Sequence, residues 1–134
     1  MKKNKIFDCI TFFDNNFMFE LRYNVLKDYV DYFVICESKY DHRGRPKKIN
    51  FIQKNNYDLD KIKHVIMENP FPKNTGIWEN QAIQREFLLS STEFADPDDY
   101  IFFSDPDEIP RPEILINFEL KKKIRDIYAK MLQL

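Results

Sequence analysis

The sequence predicts an α/β domain: a mostly parallel sheet with helices on both faces, in three layers. Two observations carry this. Short runs rich in aromatic and β-branched residues alternate with stretches of helical period, in the order β-α-β-loop-β-α-β-α-β. Polar residues also collect where the apolar runs end, and open parallel sheets bind ligands at the carboxyl ends of their strands.

Each element has its own reason. Lys5 to Phe13, "KIFDCITFF", has the content of a strand. Asp14-Asn15-Asn16 supplies a turn and a helix cap. From Phe17 to Val30, the spacing of Phe17, Leu21 and Val25, with Met18, Leu26 and Tyr29, predicts a packing helix. Asp31 to Ser38, "DYFVICES", predicts a second strand ending in Glu37. Tyr40 to Ile49 is a basic loop with turn signals at Gly44 and Pro46. Asn55 to Lys61 reads as a turn or short helix, and Ile62 to Met67 as a third strand. Pro70 and Pro72 keep the next loop extended. Trp78 to Phe94 has helical period through Ala82, Ile83, Phe87 and Leu88. Asp96, Asp98 and Asp99 form a solvated turn before the fourth strand, Tyr100 to Phe103. Pro112 suits the first turn of a helix to about Arg125, and Ile127 to Leu134 reads as a fifth strand.

Composition sets bounds. The 134 residues suit one domain, and a 43% apolar content supports a packed core. The 21 basic and 22 acidic residues nearly cancel, so no global field marks a nucleic-acid binder. No run approaches a membrane span, and no signal-peptide core is read, so the cytoplasm is the expected compartment. Cys9 and Cys36 lie within apolar runs without ligand-spaced partners and read as buried free thiols. His42 and His64 likewise lack ligand-spaced partners and read as core or surface residues. The loop Arg43 to Lys48 reads as solvated, with contact to a phosphate or anionic acceptor as the alternative.

The chemistry concentrates at Tyr100 to Pro112, "YIFFSDPDEIPRP", where an apolar strand runs into Ser104, Asp105, Asp107 and Glu108. Clustered carboxylates repel, so the cluster either meets a cation or faces water. Asp105-Pro106-Asp107 is a D-x-D tripeptide whose oxygens suit Mg²⁺ or Mn²⁺. Such an ion binds a diphosphate and offsets charge on a leaving phosphate. The alternative is that these acids cap the next helix or are solvated.

Four stretches, "DCITFFDN", "VDYFVICES", "WENQAIQRE" and "ADPDDYIFFSDPDEIPRPE", together resemble glycosyltransferase family 17. The resemblance implies a GT-A fold: a Rossmann-like sheet binding a nucleotide sugar, with a D-x-D motif holding Mn²⁺ or Mg²⁺. It implies a UDP-sugar donor, most often UDP-N-acetylglucosamine, a glycan acceptor, and inversion at the anomeric carbon. By position, Asp105 and Asp107 become the metal carboxylates, with Asp105 also near the ribose and Glu108 beside them. Thr11 and Phe12 cradle the base, Glu37 accepts from the uridine, and Asn80 and Arg85 approach the donor, Arg85 at its diphosphate. Trp78 either stacks on a sugar or base or anchors the helix start. The family domain continues past residue 134, so residues 1–134 are expected to be the donor-binding domain. The acceptor half and the general base are expected outside it. The rival readings are a nucleotidyltransferase, which predicts a Gly-rich phosphate loop where this chain has "TFFDNN", and a binding remnant without turnover.

Overall fold

A computed structural model describes residues 4–116. Its elements are β1 (Ile6–Phe12), α1 (Asn16–Leu26), β2 (Tyr32–Ser38), β3 (Ile62–Met67), α2 (Ile77–Ser90), β4 (Tyr100–Phe103) and α3 (Pro112–Ile116). The four strands form one sheet in the order β3-β2-β1-β4, and every neighbouring pair is parallel. The α/β, Rossmann-like expectation holds. The strand expected at Ile127 to Leu134 and the far end of the helix begun at Pro112 lie outside the described residues.

β1 is central, and its side chains alternate between two cores. Ile6, Ile10 and Phe12 pack with Phe19, Tyr23 and Leu26 of α1. Phe7 and Cys9 pack with Leu88 of α2 on the opposite face. A parallel strand covered on both faces reads as a nearly unbroken apolar run, which is why "KIFDCITFF" shows little alternation. Lys5 and Ile6 are held at its start by acids. Asp99 Oδ1 accepts from the Lys5 N–H at 2.9 Å, and Asp31 Oδ2 from the Ile6 N–H at 2.8 Å. Asp99 therefore brackets two strands rather than standing in solvent, a correction to the reading of that turn.

Both long helices bury a seam that only partly matches the apolar spacing: Leu26 and Leu88 are buried, with Val25 and Phe87 packed beside the cores. Asn15 caps α1, accepting from the Met18 N–H at 2.9 Å. The face it buries is Phe19, Arg22, Tyr23 and Leu26, while Phe17 and Leu21 stay exposed. The helix also stops at Leu26, short of Val30. The buried seam of α2 is Asn80, Gln84 and Leu88. Two amides turn inward because backbone carbonyls of β2 and of the loop after it need donors. Gln84 Nε2 donates to Cys36 O at 3.0 Å, and Asn80 Nδ2 to His42 O at 2.8 Å. Among the described residues, no buried side-chain nitrogen or oxygen lacks a partner. No described helix is long and apolar enough to cross a membrane.

The topology has one consequence for function. From β1 the chain steps outward through β2 to β3, then returns to place β4 on the other side of β1. The reversal puts the switch point between β1 and β4, and the carboxyl ends of strands at such a point are where open parallel sheets receive ligands.

Candidate functional site

The turn after β4 lies at this switch point. The Ser104 N–H donates to Cys9 O at 3.3 Å and carries the β1–β4 ladder one step on. Asp105 and Glu108 then close a turn reciprocally. The Glu108 N–H donates to Asp105 O at 2.9 Å, and the Asp105 N–H to Glu108 Oε1 at 3.0 Å. Pro106 and Asp107 occupy its tip, and the fixed φ of proline suits the first of these positions. Asp107 is exposed. Asp105 is about half exposed and lies 3.3 Å from Arg85 Nη2.

Beneath the turn is a buried ion pair. Arg22 Nε and Nη2 donate to Asp8 Oδ2 and Oδ1, both at 2.6 Å. Neither residue has more than 2% of its surface exposed. Bidentate pairing of this kind offsets the desolvation of both charges. The remaining donors reach the turn. Nη2 donates to Ser104 Oγ at 2.6 Å, and Nη1 to Glu108 O at 2.8 Å, Asp105 O at 3.3 Å and Pro106 O at 3.4 Å.

The other residues singled out in the sequence are placed as follows. Thr11, half-buried, follows Phe7 and Cys9 on the α2 face of β1. Phe12 is buried, with its ring edge-on to Phe51 at 5.5 Å. The next ring, Phe13, is 55% exposed. Glu37 is fully buried, and both its oxygens are engaged by this chain. Oε1 accepts from the Phe51 N–H at 3.1 Å and lies 3.2 Å from His64 Nε2. Oε2 accepts from Lys47 Nζ at 2.8 Å and the Asn50 N–H at 2.5 Å. Glu37 thus fastens the basic loop to the sheet. Asn80 is buried between Thr75 and His42, and Trp78 is 80% exposed at the start of α2.

An open groove of about 250 Å³ lies between the ends of β1 and β2 and the start of α2. Phe13, Asp41, His42, Arg43, Arg45 and Ile77 line it. Its wall is ordered by Asp41, whose carboxylate accepts from the Arg43 and Arg45 N–H groups at 3.0 and 2.9 Å and from Arg45 Nε at 2.9 Å. Burial opposes the charged form of Asp41, but these bonds prevail and hold its pKa below the usual value. Gly44, at φ +86°, makes the tight turn. His42 Nε2 lies 2.6 Å from Gln84 Oε1. Because Gln84 donates through Nε2 to Cys36 O, this ring nitrogen is the donor.

No group of three or more His, Cys, Asp or Glu among the described residues forms a metal cage. The donor set of Asp105 and Asp107 still fits Mg²⁺ or Mn²⁺ shared with a diphosphate, since such ions keep few protein ligands and take phosphate and water for the rest. The thiols do not fit a metal. Cys9 and Cys36 are free and fully buried, and burial raises both pKa values, that of Cys36 to about 12.

The family model for glycosyltransferase family 17 matches residues 1–134. The chain belongs to glycosyltransferase family 17. No curated protein and no solved structure matched it at a significant level. The family assignment makes the chain a glycosyltransferase, a class that uses a nucleotide-sugar donor and a glycan acceptor.

The sequence reading marks Ser104 at the head of the acidic turn but gives no role to Asp8, Arg22 or Phe13. A signal was present. Asp8 is a lone acid inside an apolar strand, and Arg22 lies one turn from the apolar Phe19 and Leu26. A buried acid and a buried base in adjacent elements imply each other.

Proposed function

We propose that this family-17 domain binds a UDP-sugar, read as UDP-N-acetylglucosamine, across the carboxyl ends of β1, β2 and β4, for transfer to a glycan hydroxyl with inversion. One observation carries the reading: the turn at the switch point leaves Asp107 exposed and sets Asp105 beside Arg85. In this reading Asp105 and Asp107 hold a divalent cation, which supplies charge stabilisation for the departing diphosphate. Arg85 contacts the diphosphate oxygens, and Phe13 and the groove behind it receive the base. The bond from the anomeric carbon to the diphosphate oxygen breaks, and its electron pair leaves with UDP. The acceptor oxygen forms the new bond and gives its proton to a carboxylate base.

The test is calorimetric titration of UDP into the chain with Mn²⁺, with EDTA, and with Asp107→Ala. Binding that requires both Mn²⁺ and Asp107 supports the donor site. Absence of binding by a chain shown folded by circular dichroism overturns it. Sugar release from UDP-N-acetylglucosamine then separates a transferase from a domain that only binds.

A further inference from the structure

We infer that Arg22, buttressed by Asp8, is a positioning residue that sets the aim of the Asp105–Asp107 carboxylates. This inference rests on the donor-site reading. A buried arginine needs a counter-ion and acceptors for its other donors, and many arrangements satisfy that. Arg22 instead gathers the backbone carbonyls of Asp105, Pro106 and Glu108, all from one turn. It also donates to Ser104 Oγ, which donates in turn to Glu108 O at 3.1 Å. A turn whose carbonyls point inward at one guanidinium is fixed in rotation, with its tip facing out.

The Asp8–Arg22 pair is neutral as a unit, so it holds the turn by directed hydrogen bonds rather than by net charge. Arginine's planar fork is suited to this, because it serves a carboxylate on one edge and the turn on the other. Ligand carboxylates held in place bind an ion more tightly than mobile ones, because their ordering and mutual repulsion are met before the ion arrives. Arg22 itself is fully buried, out of reach of a ligand at the surface. Its effect passes through the turn.

The decisive variant replaces both charges by apolar groups: Asp8→Leu with Arg22→Met. Removing one partner leaves a buried charge, whereas replacing both by apolar groups of similar size is often tolerated. Free Mn²⁺ is counted by electron paramagnetic resonance in the presence of UDP, with folding monitored by circular dichroism in the same buffer. The double variant is expected to fold and to bind Mn²⁺ at least tenfold more weakly. Ile62→Ala on β3, remote from the turn, loosens the core and is expected to leave Mn²⁺ affinity unchanged. A folded double variant within twofold of the native affinity overturns the inference. If the double variant does not fold, Ser104→Ala decides: a threefold or greater loss supports the inference, and affinity within twofold overturns it. Failure of the native chain itself to bind Mn²⁺ with UDP is a separate result. It removes the donor-site reading, and the inference with it.

Discussion

Arg85 and Asp105 face each other at 3.3 Å beside the open end of the sheet, one from α2 and one from the turn after β4. A pair this exposed contributes only about 0–1 kcal/mol to folding. In the proposed donor site it places a guanidinium beside the carboxylates, at the diphosphate. Arg85→Ala is therefore expected to leave thermal stability nearly unchanged and to weaken UDP binding roughly tenfold or more, the scale of one charged hydrogen bond. Arg85→Lys recovers part of this, since it keeps the charge but not the fork. Calorimetry beside a thermal melt checks both, and native UDP affinity in Arg85→Ala would sink the assignment.

Phe12 and Phe13 are adjacent in sequence and opposite in fate. Phe12 packs in the α1 core, and Phe13 lines the groove. Phe12→Ala is expected to cost about 3–5 kcal/mol of stability, as for other buried aromatic truncations. Phe13→Ala is expected to cost little stability and to weaken UDP binding by about 1–3 kcal/mol, the usual contribution of a base stacked on a ring. Urea unfolding and UDP titration separate the two effects. Unchanged UDP binding by Phe13→Ala would show that the base lies elsewhere.

The strands were legible because their runs are short, apolar and bounded by turn residues. The carboxylate turn was legible because acids at the end of a buried strand demand an explanation. Which face of each helix points inward was legible only in part, through Leu26 and Leu88. In α1 the chain buries Arg22 at a position that apolar spacing treats as polar, and in α2 it buries Asn80 and Gln84. All three are buried to satisfy partners far along the chain: Asp8 and the turn for Arg22, Cys36 O and His42 O for the amides. Periodicity counts side chains along one element and does not register such partners. The same limit hid the engagement of Glu37, whose four partners lie 10 to 27 residues away.

Glu37 should be a keystone of the loop after β2. It is fully buried and joins Lys47, Asn50, Phe51 and His64 to the sheet. Glu37→Ala leaves Lys47, only 11% exposed, without its counter-ion and two backbone N–H groups without acceptors. The expected cost is about 3–5 kcal/mol. The loop itself should open, so limited proteolysis is expected to cut between Tyr40 and Ile52 well before the native chain is cut. A loss below about 1 kcal/mol with no new cleavage would mean that the loop is held by Phe51 packing alone.

Cys9 and Cys36 lie on one face of the central strands, packed with Leu88. Burial is the main cause that raises both thiol pKa values. For Cys9 the Asp8 charge adds to it and Arg22 partly offsets it. For Cys36 a hydrogen bond with Gln84 opposes the rise, Glu37 adds to it, and the value reaches about 12 from an ordinary 9.0. The folded chain therefore holds these protons more tightly than the unfolded chain. That contribution to stability is fully present below about pH 9 and is lost as the pH climbs toward 12. Urea unfolding from pH 8 to 11 is expected to show a declining midpoint above pH 9, and Cys36→Ala is expected to flatten that decline. At pH 8 an aromatic disulfide reagent should label neither thiol until urea unfolds the chain, because reaction needs an accessible thiolate. Rapid labelling of either cysteine in native buffer would mean that the α2 face opens far more readily than its packing implies.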